Sequence, residues 1–235
     1  MSGGEEILLV ISNLIYIIPA IVAWKWGFIA LFAVLIAIGF LFSPAYHLCG
    51  SFDVCIYSYR VHKILDYIPA TLSIALASLL FIYWRDSDDI SQRGVGYPWL
   101  QKLFVFYFIV LSTGLNLISS SAMIAQGTIF GISAFIIFGY WFVYFRTHGT
   151  FPRYEWKSLF IGVSLITASL LMFVVNDLIP SYYWATHPLW HILGALGLTF
   201  VIMIRPPVPK YLNSESSIYS ATNGQSLIGN NVFWF

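Results

Sequence analysis

Charge is what this 235-residue chain has least of, with 11 Lys and Arg and 10 Asp and Glu making up 9% of its residues. Soluble domains carry about 25%, so a fold with its whole surface in water is excluded. The net charge of +1 and the lack of any Lys/Arg run leave no surface for a nucleic-acid partner. Cysteine is almost missing, Cys49 and Cys55 being the two, which rules out a disulfide-dense secreted scaffold. The opening MSGGEE has no basic stretch, so the first hydrophobic segment is expected to remain as a helix rather than be cleaved as a signal peptide.

Hydrophobic residues, by contrast, make up 59% of the chain, against roughly 45–50% in soluble domains. They gather into runs of the length a bilayer needs, since ~20 residues rising ~1.5 Å each cross a hydrocarbon core ~30 Å thick. These runs predict an all-α membrane protein with seven transmembrane helices, near residues 7–24, 27–48, 66–84, 99–118, 123–145, 158–175 and 187–204. The fourth and fifth are divided only by the mildly polar GLNLISSSAMIAQG. A single helix over 103–145 would be ~64 Å long, about twice the core, so the chain must turn back, with Asn116 and the serines 119–121 as the expected turn. Pro19 and Pro44 fall inside predicted helices and should kink them. The membrane domain is then residues 1–206, and the small, polar tail 207–235 is expected to be disordered.

Seven spans put the termini on opposite sides. Arg60 and Lys63 then share the N-terminal side, and Lys25, Arg85, Arg93, Lys102, Arg146, Arg153, Lys157, Arg205 and Lys210 share the other. Cytoplasmic flanks carry the excess of positive charge. The bias of nine to two therefore predicts an N-terminus outside (or lumenal) and a C-terminus in the cytoplasm. Trp24, Trp26, Trp84, Trp99 and Trp156 stand at predicted span ends, where interfacial aromatics belong.

The same parity assigns depth to the polar residues. Ser43 and His47 lie near the outer end of the second helix, Asp66 opens the third, and His187 and His191 enter the seventh, all in one leaflet. His187 and His191 are four apart, on one helical face, as in helical zinc sites where two imidazoles grip one ion. His47 would complete a three-imidazole set with a fourth position open, the arrangement of catalytic zinc. Asp66, an ionisable group at membrane depth, needs a partner there, and Ser43 could orient water or hold an oxyanion. Taken singly, each residue also has a plainer reading. The histidines suit an interface, Ser43 can bond its own helix, and Asp66 can complement a helix N-terminus. His62 and His148 read as solvated loop residues. Cys49 and Cys55 flank GSFDV in the outer loop, where a disulfide is favoured over two free thiols.

SPAYH on the second helix, Asp66 on the third and HPLWH on the seventh resemble the pattern of the CREST superfamily of seven-helix membrane proteins. That superfamily includes alkaline ceramidases, adiponectin/progestin receptors and the transmembrane-protein-8 family. AYHLCG with its second cysteine, KILDYIPATLSIALASLLFIYWRDSD and THPLWHILGALGLTFVIMIRP are similar to the myoblast-fusion branch of the last family, over about residues 7–206. The tail departs from that branch, having no cysteine for acylation. The resemblance implies zinc on His47, His187 and His191, with Asp66 and Ser43 beside it. It implies a plasma-membrane protein that promotes cell–cell fusion, with membrane lipids and a second copy of itself as partners. The alternative it implies is a zinc-dependent lipid amidase or esterase, ceramidase- or phospholipase-like, in which Asp66 takes the proton and Ser43 helps hold the oxyanion. A heptahelical receptor ranks lower, because the last helix has neither a Schiff-base lysine nor Asn-Pro-x-x-Tyr near its end. A transporter also ranks lower, its sites usually lying at the midplane.

Overall fold

The computed structural model describes residues 3–82, 98–118 and 122–205. All regular structure among them is helical: α1 (Gly3–Ser12), α2 (Ile17–Trp26), α3 (Ile29–Ile36), α4 (Ser43–Phe52), α5 (Tyr59–Ser78), α6 (Pro98–Ile118), α7 (Ala122–His148), α8 (Trp156–Leu178) and α9 (Tyr183–Ile202). Joined end to end, α1 with α2 and α3 with α4 make the first two membrane spans, Glu6–Trp26 and Ile29–Phe52. The remaining long apolar spans are Tyr59–Phe81, Met123–His148, Trp156–Asn176 and Pro180–Ile202, with a shorter apolar helix, Lys102–Ile118, in fourth place. Phe135, Phe138 and Phe142 of α7 are 80%, 64% and 68% exposed. Aromatic surface on that scale is stable against lipid and not against water. This is a multi-pass membrane protein.

The two expected prolines mark the two interrupted spans. Pro19 has no N–H and its ring crowds the carbonyl four residues back; the chain tightens into a 3₁₀ turn, Asn13–Tyr16, just ahead of it. Ahead of Pro44 the helix does the opposite and opens into a π-helical stretch, Ala37–Phe42, with Ser43 N–H donating to Ile38 O. Such widened turns collect at functional sites. The two irregular segments cross face to face. A Cβ on Gly39 would come within 2.9 Å of Tyr16 Cβ and 3.3 Å of Asn13 O, so only glycine permits the approach.

α9 packs on α1, α2 and α8, and α5 packs on α3, α4, α6 and α7. The α8–α9 contact is the most extensive. A Cβ on Gly197 would meet Ile166 N at 2.9 Å, and one on Gly162 would meet Val201 N at 3.0 Å. Small residues let membrane helices pack backbone to backbone in this way. Glu155 caps the start of α8, its carboxylate accepting from Ser158 N–H, and that bond holds the carboxyl below its usual range. The apolar core, including Leu35, Phe108, Ile129 and Ile202, fills the end of the bundle where the chain leaves α9. There Trp26 Nε1 donates to Arg205 O at 2.9 Å, Glu155 N to Ile204 O at 3.0 Å, Tyr154 Oη to Phe81 O and Arg205 to Ile82 O.

Several expectations are corrected. The third span begins at Tyr59 rather than at residue 66, because the helix extends past the apolar stretch that betrayed it. Asp66 therefore sits two turns inside the helix and cannot be complementing its N-terminus. Asn116 is not a turn residue; it is buried in α6 and donates to Thr71 Oγ1 at 3.0 Å. The serines 119–121, Trp84, Arg85, Arg93, Lys210 and the tail 207–235 lie outside the described residues.

Candidate metal centre

The π-helical stretch and Pro44 deliver His47 on the first turns of α4, one turn beyond Ser43. α9 presents His187 and His191 from successive turns. The three rings are buried and face one another, with centroids 5.0 Å (His47–His187), 5.7 Å (His47–His191) and 4.6 Å (His187–His191) apart. One nitrogen from each lies within 4.8 Å of the others. The Nε2 atoms of His47 and His187 are buried without a hydrogen-bond partner.

An unpaired buried polar atom costs about 1–3 kcal/mol, and two on neighbouring rings of one cluster call for a shared occupant. A divalent ion fits. Zinc–imidazole bonds are ~2.0–2.1 Å long, and three imidazole nitrogens within 4.8 Å of one another stand close to the spacing one ion asks for. The three-histidine group can bind a metal ion, and among the described residues no fourth His, Cys, Asp or Glu joins it.

Around the imidazoles stands a polar ring from four other segments. Ser12 Oγ, at the end of α1, lies 2.9 Å from His191 Nδ1 and donates to Leu9 O. Asn176, near the end of α8, places its amide 3.2 Å from His187 Nδ1, and Thr186 bonds that amide in turn. Asp66 is hydrogen-bonded by Ser43 and is felt electrostatically by Tyr16. The Tyr16 ring meets His191 edge-on at 6.2 Å. Tyr46 against His47 at 5.0 Å and Tyr183 against His187 at 4.6 Å wall the site with aromatic surface.

The structure thus brings together all five residues expected from the sequence, His47, His187 and His191 as a group and Asp66 with Ser43 as a bonded pair at its side. Ser12, Tyr16, Asn176 and Thr186 were not foreseen. Their signal was available, since Ser12 interrupts LLVISNLI and Asn176 closes LLMFVVN, polar residues in apolar runs at the depth of the histidines. Cys49 and Cys55 form the expected disulfide, with Cα atoms 4.5 Å apart. His62 corrects its reading as solvated. It is buried, and its Nε2 accepts from Tyr57 N–H at 3.2 Å, which pins the disulfide loop to α5. His148 is exposed and stacks on Tyr144.

No curated protein matches the chain. Residues 5–192 match the family described as "Protein of unknown function (DUF3522)", a span that begins ahead of Ser12 and ends just past His191. The chain belongs to that family.

Proposed function

We propose that this protein is a zinc-dependent lipid hydrolase acting in the outward leaflet of the plasma membrane on the amide or ester carbonyl of a membrane lipid. The observation that carries the reading is the three-histidine group, with the Nε2 atoms of His47 and His187 unpartnered and no fourth side-chain ligand among the described residues. Structural zinc is closed by four protein ligands, and catalytic zinc keeps a position open. His47, His187 and His191 would hold the zinc, which would supply Lewis acidity to polarise a carbonyl and lower the pKa of water. Asp66, steadied by Ser43, is the general base that accepts a proton from water, and the aromatic walls keep bulk solvent out. The outward orientation is supported by the nine-to-two distribution of Lys and Arg. The Cys49–Cys55 disulfide supports it too, since such bonds persist on the oxidising face.

A second reading, a fusion protein of the myomaker type, rests on the resemblance to the CREST superfamily and on one feature of the fold. On the site's side α4 and α5 are joined by residues 53–58, and α8 and α9 by a single 3₁₀ turn, so a facing bilayer can come close. One experiment separates the two. The full chain, reconstituted in vesicles holding a ceramide and a phosphatidylcholine, is assayed for zinc content and released fatty acid. Wild type and His187→Ala are scored in parallel for mixing between two cell populations. Hydrolysis predicts about one zinc per chain and fatty-acid release abolished by His187→Ala. A zinc-loaded protein that releases no fatty acid, while cell mixing falls with the substitution, rejects hydrolysis in favour of fusion.

A further inference from the structure

We infer that Ser12 and the Asn176–Thr186 pair are positioning residues that fix His191 and His187 as Nδ1–H tautomers and so turn both Nε2 lone pairs toward the metal. The inference rests on the zinc reading above and deepens it.

The logic is a count of protons. A serine hydroxyl has one, and Ser12 gives it to the Leu9 carbonyl at 2.9 Å. With that proton given to Leu9 O, its bond to His191 Nδ1, also 2.9 Å, is one it accepts. His191 therefore carries its proton on Nδ1, and its Nε2 is a bare lone pair.

The same count orders the other side. Thr186 Oγ1 has one proton and two acceptors in reach, the Tyr182 carbonyl at 2.9 Å and the Asn176 amide. Which end of an amide is oxygen is set by its hydrogen-bond network. Placed as the structure has it, with the amide oxygen toward Thr186 and the NH₂ toward His187 Nδ1, the amide would donate to Nδ1 and force the proton onto the buried and unpartnered Nε2. The flipped orientation leaves no proton stranded, and the bare Nε2 lone pair is then free for the metal. Thr186 donates to Tyr182 O, the Asn176 NH₂ donates to Thr186 Oγ1, and the Asn176 oxygen accepts from His187 Nδ1–H. Both histidines of α9 then offer Nε2, each held by a residue from a different helix. Metal-bound histidines are commonly steadied through the other nitrogen in this way.

The amide orientation makes the idea testable, because a carboxylate accepts and never donates. Zinc affinity of the purified full chain is measured against a competing chelator for wild type, Ser12→Ala, Ser12→Thr, Asn176→Leu and Asn176→Asp. The thermal midpoint of each zinc-free protein is recorded alongside. Ser12→Ala and Asn176→Leu should weaken zinc binding about 10–100-fold. Asn176→Asp, still able to accept from Nδ1–H, should bind within about threefold of wild type or tighter, and Ser12→Thr should rescue the hydroxyl. If Asn176→Asp loses zinc as Asn176→Leu does, the amide donates and the tautomer assignment is wrong. If Ser12→Ala and Asn176→Leu bind like wild type, the residues only stabilise the fold. Should Ser12→Ala not fold, the Asn176 pair decides alone. A wild-type chain that takes up no zinc overturns the metal reading itself, an outcome distinct from the other two.

Discussion

Asp66 is the residue whose removal best separates holding a metal from using it. Its carboxylate is bonded to Ser43 and lies outside the three-imidazole group. Asp66→Asn preserves size and most hydrogen bonding but abolishes the base. Zinc content should stay at the wild-type level while fatty-acid release falls about 10²–10⁴-fold, the usual contribution of a general base. Loss of zinc together with activity would make Asp66 part of the holding apparatus instead. At this scale the sequence was most informative about the histidines, because two imidazoles four residues apart must share a helical face. It marked Ser12 and Asn176 only as polar residues in apolar runs. Span parity gives the depth of a residue but not its rotation about the helix axis, and rotation decides whether Ser12 faces His191 or lipid. His62 was misread because the backbone just ahead of α5 turns the Tyr57 N–H onto its ring, a bond that residue type and spacing do not announce.

Helix irregularity, rather than helix regularity, builds the site. The 3₁₀ turn ahead of Pro19 and the π-helical stretch ahead of Pro44 were legible as proline kinks, though not which way each would depart from the α form. The span ends were less legible, since hydropathy reports the lipid boundary while backbone hydrogen bonds run on beyond it, as at Tyr59. The glycine contacts offer a test on elements. Gly197 lies where its Cβ would strike α8 backbone at 2.9 Å, so Gly197→Leu must push α8 and α9 apart. Overpacking of this kind costs about 1–3 kcal/mol, read as a lower thermal midpoint in detergent. Because Asn176 rides on α8 and His187 on α9, zinc affinity should fall with it. Gly127→Leu, where a Cβ meets nothing within 4 Å, is the control and should leave both unchanged.

The whole molecule is divided between its two ends. One is an apolar core latched by backbone carbonyls to Trp26, Tyr154 and Arg205; the other is polar, aromatic and closed by a disulfide. The three histidines tie α4 to α9, so a metal there binds the folded state alone. Saturation at about 100 times its dissociation constant would add ~2.7 kcal/mol, and chelation should lower the thermal midpoint of wild type but not of a His187→Ala variant. Which end faces out decides whether the site meets the outer leaflet at all, and the native cysteines make this simple to ask. Both are locked in the disulfide, so the described chain has no free thiol to confuse a label. Ser181, in the turn beside the site, and Thr150, in the loop of the opposite end, are both exposed and close to cysteine in size. A membrane-impermeant maleimide added to intact cells should label Ser181→Cys, and Thr150→Cys only after permeabilisation. The reverse pattern would put the disulfide in a reducing compartment, against its chemistry, and nine cations on the outer face, against the charge rule. It would also leave the three imidazoles facing cytosolic rather than extracellular lipid, so the outer-leaflet substrate proposed here would be wrong even if the zinc were right.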